Sequence, residues 1–471
     1  MKSSMFFKIA LHFSLLALVL FLWSFTAPST TLFVGGIAAT LTYGILTIAE
    51  CWDSKEVISP FSYHFLWNWA ALGIAAVYFA FSTWHGEWSH FDTVNYVSPK
   101  SLAAGYVLCL SGSFLLHATL RFSEPRVKTP SEKKRVINPI LGLLLFVGGC
   151  IVIMAPRGVS AFQGLFASLL RYSPLALLMA VAFGTRARRF YWTKLLFGTS
   201  LLVATNMLAL FPYKSGVLQS LFPLVIALWK KSRPLAIACL CLIPMFYLGI
   251  IAPYVTASRN KNANTTVGSL SDDSDVISSL SIPEADSKAR DGDATGTLMA
   301  RIFEPIEAGF IVHDVHLHGF IWGETFKNVQ YALVPRFLWP DKPEMNAAKW
   351  FTQYLGYNYD SYTSMSGAGE LYWNFSIPGV ILGTIIVGLL YCSLWSLSER
   401  FGKDTYLGAL LYVLVLISTF SSGNGSESLI MVPSILVLLS PFFIWPQIKN
   451  LYDWYFSRPL ALRQQQRMLH R

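Results

Sequence analysis

The sequence predicts an all-α polytopic membrane protein with about twelve transmembrane helices and one large loop outside the bilayer. Three observations carry this. Of its 471 residues 54% are hydrophobic and only 13% are charged, against roughly 25% charged in soluble domains. Mean hydropathy is +0.48, and the apolar residues fall in runs suited to the roughly 20 residues a helix needs to cross a ~30 Å hydrocarbon core. Fifteen tryptophans and twenty-one tyrosines suit two interfacial aromatic belts.

In chain order the apolar segments are 6–25, 31–49, 63–83, 101–119, 138–154, 172–185, 195–211, 216–229, 234–253, 374–397, 405–421 and 428–446. The first follows Lys2 and Lys8; its length, without a small-x-small cleavage site before the second run, predicts a retained helix. The fifth, sixth and eighth are short. This divides the chain into a membrane domain of about nine helices over 1–253 and a large loop over 254–373. About three helices follow over 374–446, then a basic tail over 447–471.

Charge orients the bundle. The net charge is +10, but residues 254–373 carry 9 Lys and Arg against 15 Asp and Glu, leaving the rest strongly basic. With the N-terminus inside, the inner loops hold Arg121, Arg126, Lys128, Lys133, Lys134, Arg135, Arg186, Arg188, Arg189, Lys194, Lys230, Lys231 and Arg233. The small outer loops hold only Lys100, Arg157, Arg171 and Lys214. Short cytoplasmic loops retain Lys and Arg, so both termini are expected in the cytoplasm and the large loop on the far side. The basic balance therefore reports orientation and implies no nucleic-acid partner. The aromatic, basic tail is expected to lie on membrane lipid at the anionic inner leaflet.

The large loop has two parts. Residues 260–296 are rich in Asn, Ser, Thr and Asp, with too few large apolar residues to bury a core, and read as a flexible segment. Residues 297–373 read as ordered. Ile302, Ile306, Phe310 and Leu317 recur at helical spacing and predict an amphipathic helix along the interface, although Pro305 and Gly309 weigh against it. Pro335, Pro340 and Pro343 predict a stiff extended turn. Among the six cysteines, five lie within apolar runs and Cys51 ends one, so no disulfide framework is expected. The chain shows no P-loop and no G-x-G-x-x-G after a strand.

VPRFLWPDKP, followed after a gap by GELYWNFSIPGVILG, resembles a pattern of the bacterial O-antigen and exopolysaccharide polymerases of the Wzy type. The matching residues are Arg336, Trp339, Pro340, Lys342 and Pro343, then Gly369, Glu370, Asn374, Phe375 and Gly379. One departure is Ser376, where that family often has glycine after the Phe. The resemblance covers about a tenth of the chain by motif, supported by the many-helix layout with one long outer loop. It implies a glycosyltransferase of the inner membrane that works at the periplasmic face. An undecaprenyl-diphosphate-linked oligosaccharide is the donor, and a second lipid-linked repeat unit supplies the acceptor hydroxyl. It also implies a chain-length regulator and a flippase as partners, and no metal or nucleotide cofactor.

That reaction sets the candidate residues. Negative charge develops on the leaving diphosphate, and without a metal it must be met by guanidinium and ammonium groups. Arg336 is the catalytic candidate; Lys342, Arg301, Lys214, Arg157 and Arg171 are candidates for binding the diphosphate. Their competing roles are surface pairing with Asp341 and Glu344, a helical pair of Arg301 with Glu304, and headgroup anchoring around Arg157 and Arg171. Glu370 is the first candidate for the base that takes the acceptor proton. His313, His316, His318 and Asp314 form the other set, and His313 with His316 also has a metal-like spacing. Trp339, Trp350, Tyr354, Tyr357, Tyr359, Tyr362, Tyr372 and Trp373 are candidates for stacking sugar rings, or else belong to an interfacial belt.

An O-antigen ligase shares this layout and is the close alternative. A transporter or flippase is the more distant one. Transporters place ionisable residues inside their helices, and the apolar runs here look almost free of charge.

Overall fold

The structure is a computed structural model, and it describes residues 2–53, 58–85, 97–124, 139–154, 165–184, 191–208, 214–246, 299, 302–327, 350–351, 354 and 365–418. Every regular element among them is helical. In chain order these are α1 (Lys2–Phe25), α2 (Pro28–Asp53), α3 (Pro60–Asn68), a π-helical turn (Trp69–Ile74), α4 (Ala75–His85) and α5 (Pro99–Phe122). Next come α6 (Pro139–Met154), α7 (Leu165–Phe183), α8 (Tyr191–Leu208), α9 (Lys214–Ser220), α10 (Phe222–Lys231) and α11 (Arg233–Phe246). The last are α12 (Pro305–His318), a short 3-10 turn (Glu324–Phe326), α13 (Gly367–Phe401) and α14 (Tyr406–Ser418).

Among the described residues, five helical stretches are long and apolar enough to cross a membrane: Ser4–Phe25, Pro28–Asp53, Pro60–Phe81, Pro99–Phe122 and Gly367–Phe401. Ile140–Met154, Leu170–Phe183 and Tyr406–Ile417 are shorter apolar helices. The protein is thus an α-helical membrane protein, and of the twelve expected spans these five have full crossing length among the described residues. The expected run 216–229 is split into α9 and α10 at Leu221, and the expected run 428–446 lies outside the described residues.

Local chemistry sets the helix starts. Ser59 and Ser98 each accept a hydrogen bond from the backbone N–H three residues on, and Pro60 and Pro99 follow them. A serine cap satisfies an orphan donor, while proline in the first turn has no N–H to lose. The faces of α1, α6 and α13 that carry Phe7, Phe21, Leu143, Leu144, Leu382 and Ile386 are exposed and apolar, as a lipid-facing surface requires.

Helix α5 is the axis of the bundle. On one side Tyr106 packs against Gly35 of α2, and His117 against His12 of α1. On the other, Gly105 meets the backbone of Pro305 and Gly309 in α12, and Gly112 meets Ala368 of α13. A Cβ on Gly105 would stand 2.4 Å from the Gly309 nitrogen. Between helices in a bilayer, where hydrophobic burial contributes little, such small-residue contacts provide the close packing.

The expected interfacial helix therefore needs correction. It exists as α12, but Pro305, Ile306, Ala308, Gly309, Ile311 and Asp314 are buried and it packs against α5 and α13. Pro305 begins the helix instead of breaking it, and Gly309 permits the contact with Leu102 and Val97.

Helix α13 is also not a single rod. Phe375 (φ −140°, ψ 15°) and Ser376 (φ 60°, ψ −160°) leave helical geometry and divide it into arms 367–374 and 377–401. Gly379 lies against the Leu371 carbonyl and Gly383 against the Leu371 side chain, so the arms fold back on each other. The long arm then follows α5, with Gly388 on Leu116 and Thr119. The short arm starts beside Gly112, part-way along α5, and returns toward the Pro99 end. Both α12 and this arm are half-helices that begin inside the bundle.

Candidate functional site

Three groups of polar residues stand out, and α5 orders them. The first caps the end at which α12 finishes. Asp314, 4% exposed, accepts hydrogen bonds from Trp373 Nε1 at 3.0 Å and from the Tyr354 hydroxyl at 3.0 Å. Its Oδ1 lies 2.8 Å from His318 Nδ1. The His318 side chain is 66% exposed, and Nε2 is the ring nitrogen not engaged by Asp314. Trp350, Tyr354 and Trp373 surround the carboxylate with ring centroids 5.1–5.5 Å apart. Desolvation, and after it the bond to Asp314, push the Tyr354 phenol up to about 12. The α12 turn brings Asp314 and His318 together because residues four apart share a helix face.

The second group lies where the half-helices begin. Glu304 accepts from Trp67 Nε1 at 2.8 Å. Among the described residues the Glu307 Oε2 is buried without a hydrogen-bond partner, and burial drives this carboxyl well above the usual carboxylate range. Glu370, fully buried, sits in the first turn of the short arm, whose cap is Ser366 rather than the glutamate. Glu307 likewise occupies a first turn, and a helix N-terminus favours negative charge there. Both Glu304 and Glu307 act electrostatically on Cys109, which also meets the Ser366 side chain.

The third group occupies the core between α1, α2, α3 and α5. His12 Nδ1 and His117 Nδ1 are 3.1 Å apart, and His12 Nε2 is 2.9 Å from the Tyr43 hydroxyl. Tyr43 continues to Ser113 Oγ at 3.1 Å, and Ser113 Oγ to His64 Nε2 at 3.1 Å. Asn68 Nδ2 lies 3.1 Å from the same nitrogen. One helical turn from His12 and His117, Lys8 and Arg121 both pair with Glu50. Lys8 also reaches Asp53 at 2.8 Å, and Arg121 reaches Glu124 at 3.4 Å. The aromatic rings of Phe61, Phe65 and Phe114 enclose the histidines.

The expected site residues fare unevenly. Arg336, Lys342, Arg301, Arg157 and Trp339 lie outside the described residues. Lys214 opens α9, and Arg171 lies half-buried on α7. His316 is exposed on α12 and His313 half-buried, and neither joins His318 on Asp314. Among the described residues no group of three or more His, Cys, Asp and Glu is arranged to hold a metal. Trp373, fully buried, is a core residue and not an open stacking face. The third group was missed, although a signal existed. Lys8 with His12, His64 with Asn68, and His117 with Arg121 are i,i+4 pairs, which places polar residues in stripes along otherwise apolar helices.

The fold and these groups define a polytopic α-helical membrane protein with two half-helices and a buried polar core. No family model, curated protein or solved structure matches the chain.

Proposed function

We propose that the protein is a membrane glycosyltransferase that lengthens a lipid-linked glycan at the outer face of the membrane. The observation that carries this reading is the exposed His318 ring held by buried Asp314, beside an aromatic cluster whose Trp373 belongs to the GELYWNFSIPGVILG segment that carries the resemblance. His318 Nε2 takes the proton of the acceptor hydroxyl as its oxygen bonds the anomeric carbon of the donor. The bond from that carbon to the diphosphate breaks, and the diphosphate leaves with the bonding electrons. Asp314 fixes the imidazole tautomer and stabilises the imidazolium that forms. Arg336 and Lys342 are the cations proposed to meet the leaving diphosphate. A fully buried Glu370 meets a hydroxyl only if the acceptor enters the bundle, so the base role passes to His318. The test is glycan length in a strain that depends on this protein. His318→Ala, present at normal abundance in the membrane, loses the long-chain ladder; a full ladder overturns the reading.

A second reading, a transporter of lipid-linked glycan, is favoured by a specific observation. Lys8, Glu50 and Arg121 are at most 8% exposed near the ends of α1, α2 and α5, and His12, His64 and His117 are buried further into the bundle; transporters place ionisable groups in such an interior. Movement of lipid-linked glycan across liposomes without lengthening would select it.

A further inference from the structure

We infer that the buried chain His64–Ser113–Tyr43–His12–His117 is a proton relay through the membrane domain, an activity separate from glycan transfer. Each of these five side chains is at most 1% exposed, and successive members lie 2.9–3.1 Å apart. A scaffold of buried polar groups needs only one donor for each acceptor. Here every member both gives and takes a proton, and both polarities satisfy the four links of the chain; Asn68 Nδ2–H bonds His64 Nε2 only in the polarity where that nitrogen holds a lone pair.

In one polarity His64 Nε2–H donates to Ser113, Ser113 to Tyr43, Tyr43 to His12 Nε2, and His12 Nδ1–H to His117 Nδ1. In the other, every donor and acceptor is exchanged. A proton that arrives at His64 Nδ1 moves the chain from the first setting to the second. Each member breaks one N–H or O–H bond and forms another, and one proton leaves from His117 Nε2. No electrons are transferred. Among the described residues that Nε2 is buried without a hydrogen-bond partner, so its N–H is committed to no other residue and is left to hand its proton to water. Asn68 does not carry the proton; it holds the His64 ring, and bonds the His64 carbonyl at 2.8 Å as well.

Both ends lead to charge. Beyond His117 lie Arg121 and Glu124 on α5, Lys8 on α1, and Glu50 and Asp53 on α2. Asp53 and Glu124 are half exposed and open this end to solvent. Toward the other end Trp67, three residues from His64 on α3, donates to Glu304 at the start of α12. Cys109, four residues before Ser113 on α5, lies within electrostatic reach of Glu304 and Glu307, which supply carboxylates at the mouth of the half-helices. Ionisable groups in a bundle interior, arranged as a chain of His, Tyr and carboxylate, are the composition of a proton path.

The experiment uses the full-length protein in liposomes that enclose a pH dye, with a potassium diffusion potential to drive protons. The wild-type protein is expected to carry protons above the protein-free rate. Tyr43→Phe, which removes one hydroxyl from the chain, is expected to fall to the protein-free rate at equal incorporation. Ser393→Ala, whose hydroxyl bonds only its own helix, keeps the wild-type rate. Should Tyr43→Phe not incorporate as a folded protein, Ser113→Ala breaks the same chain and is held to the same criterion. Wild-type flux equal to protein-free liposomes overturns the inference whatever the variants do, and so does full flux in Tyr43→Phe or Ser113→Ala.

Discussion

His12 and His117, 105 residues apart in sequence, face each other through their Nδ1 atoms at 3.1 Å. The separation requires a proton on one nitrogen and a lone pair on the other, so the two rings share a single hydrogen. Together with Tyr43 at 2.9 Å they tie α1, α2 and α5 into one polar core. His12→Phe removes both links; the Tyr43 hydroxyl keeps Ser113, while His117 Nδ1 loses the partner it had in His12. The expected loss is about 1–3 kcal/mol, the cost of one orphaned buried polar group. Thermal unfolding in detergent micelles measures it.

Glu50 neutralises both Lys8 and Arg121. Glu50→Gln leaves Lys8 to the half-exposed Asp53 and Arg121 to Glu124, so the expected loss lies below the about 3–5 kcal/mol of a fully broken buried pair. The double variant Glu50→Gln with Lys8→Met is expected to recover part of that loss. A double-variant melting temperature no higher than the single one would show that Lys8 is not what the glutamate neutralises.

Glu307 ties stability to pH. Its folded carboxyl is pushed up by burial, and by the neighbouring charge of Glu304. Stability from this group is then full below the unfolded value of about 4.3 and is lost as pH rises through the folded value, because the folded state holds the proton longer. Glu307→Gln cannot ionise. It is expected to match the wild type at acid pH and to melt higher than the wild type toward alkaline pH. Parallel melting curves across that range would refute the protonated state.

Ser376 holds φ 60° and ψ −160° at the break in α13, a conformation that costs a residue with a Cβ roughly 1–3 kcal/mol. Ser376→Gly should therefore raise the melting temperature without loss of function. This is the position at which the resembled family carries glycine, and the turn geometry gives a physical reason for that preference.

At the outer group, Asp314→Asn keeps the size of the side chain but removes the charge that holds His318. Glycan lengthening is expected to fall about 10²–10⁴-fold, the usual contribution of general acid–base catalysis, with protein abundance little changed. His316→Ala, on an exposed residue apart from this carboxylate, should leave lengthening unaltered and serves as the control.

Much of the fold was legible because it follows from single stretches of chain. The long apolar runs 6–25, 31–49 and 101–119 give α1, α2 and α5. The Asp314–His318 pair was in view as well, since both residues lie on one helix. What misled was Pro305 with Gly309, whose meaning depends on position: a proline in a first turn and a glycine under a crossing helix both favour α12.

By itself the sequence determined the membrane class, the alternation of apolar helices with polar segments, and the residue types available for chemistry. Those depend on hydrophobicity and local spacing, which are properties of short windows. Only tertiary structure decided that α12 and residues 367–374 enter the bundle, and that His12, Tyr43, His64, Ser113 and His117 meet in its core. Those residues lie on four separate helices, with Ser113 and His117 together on α5. Their hydrogen bonds exist because four helices converge, and convergence is fixed by contacts such as Gly105 on Gly309 that no single window contains.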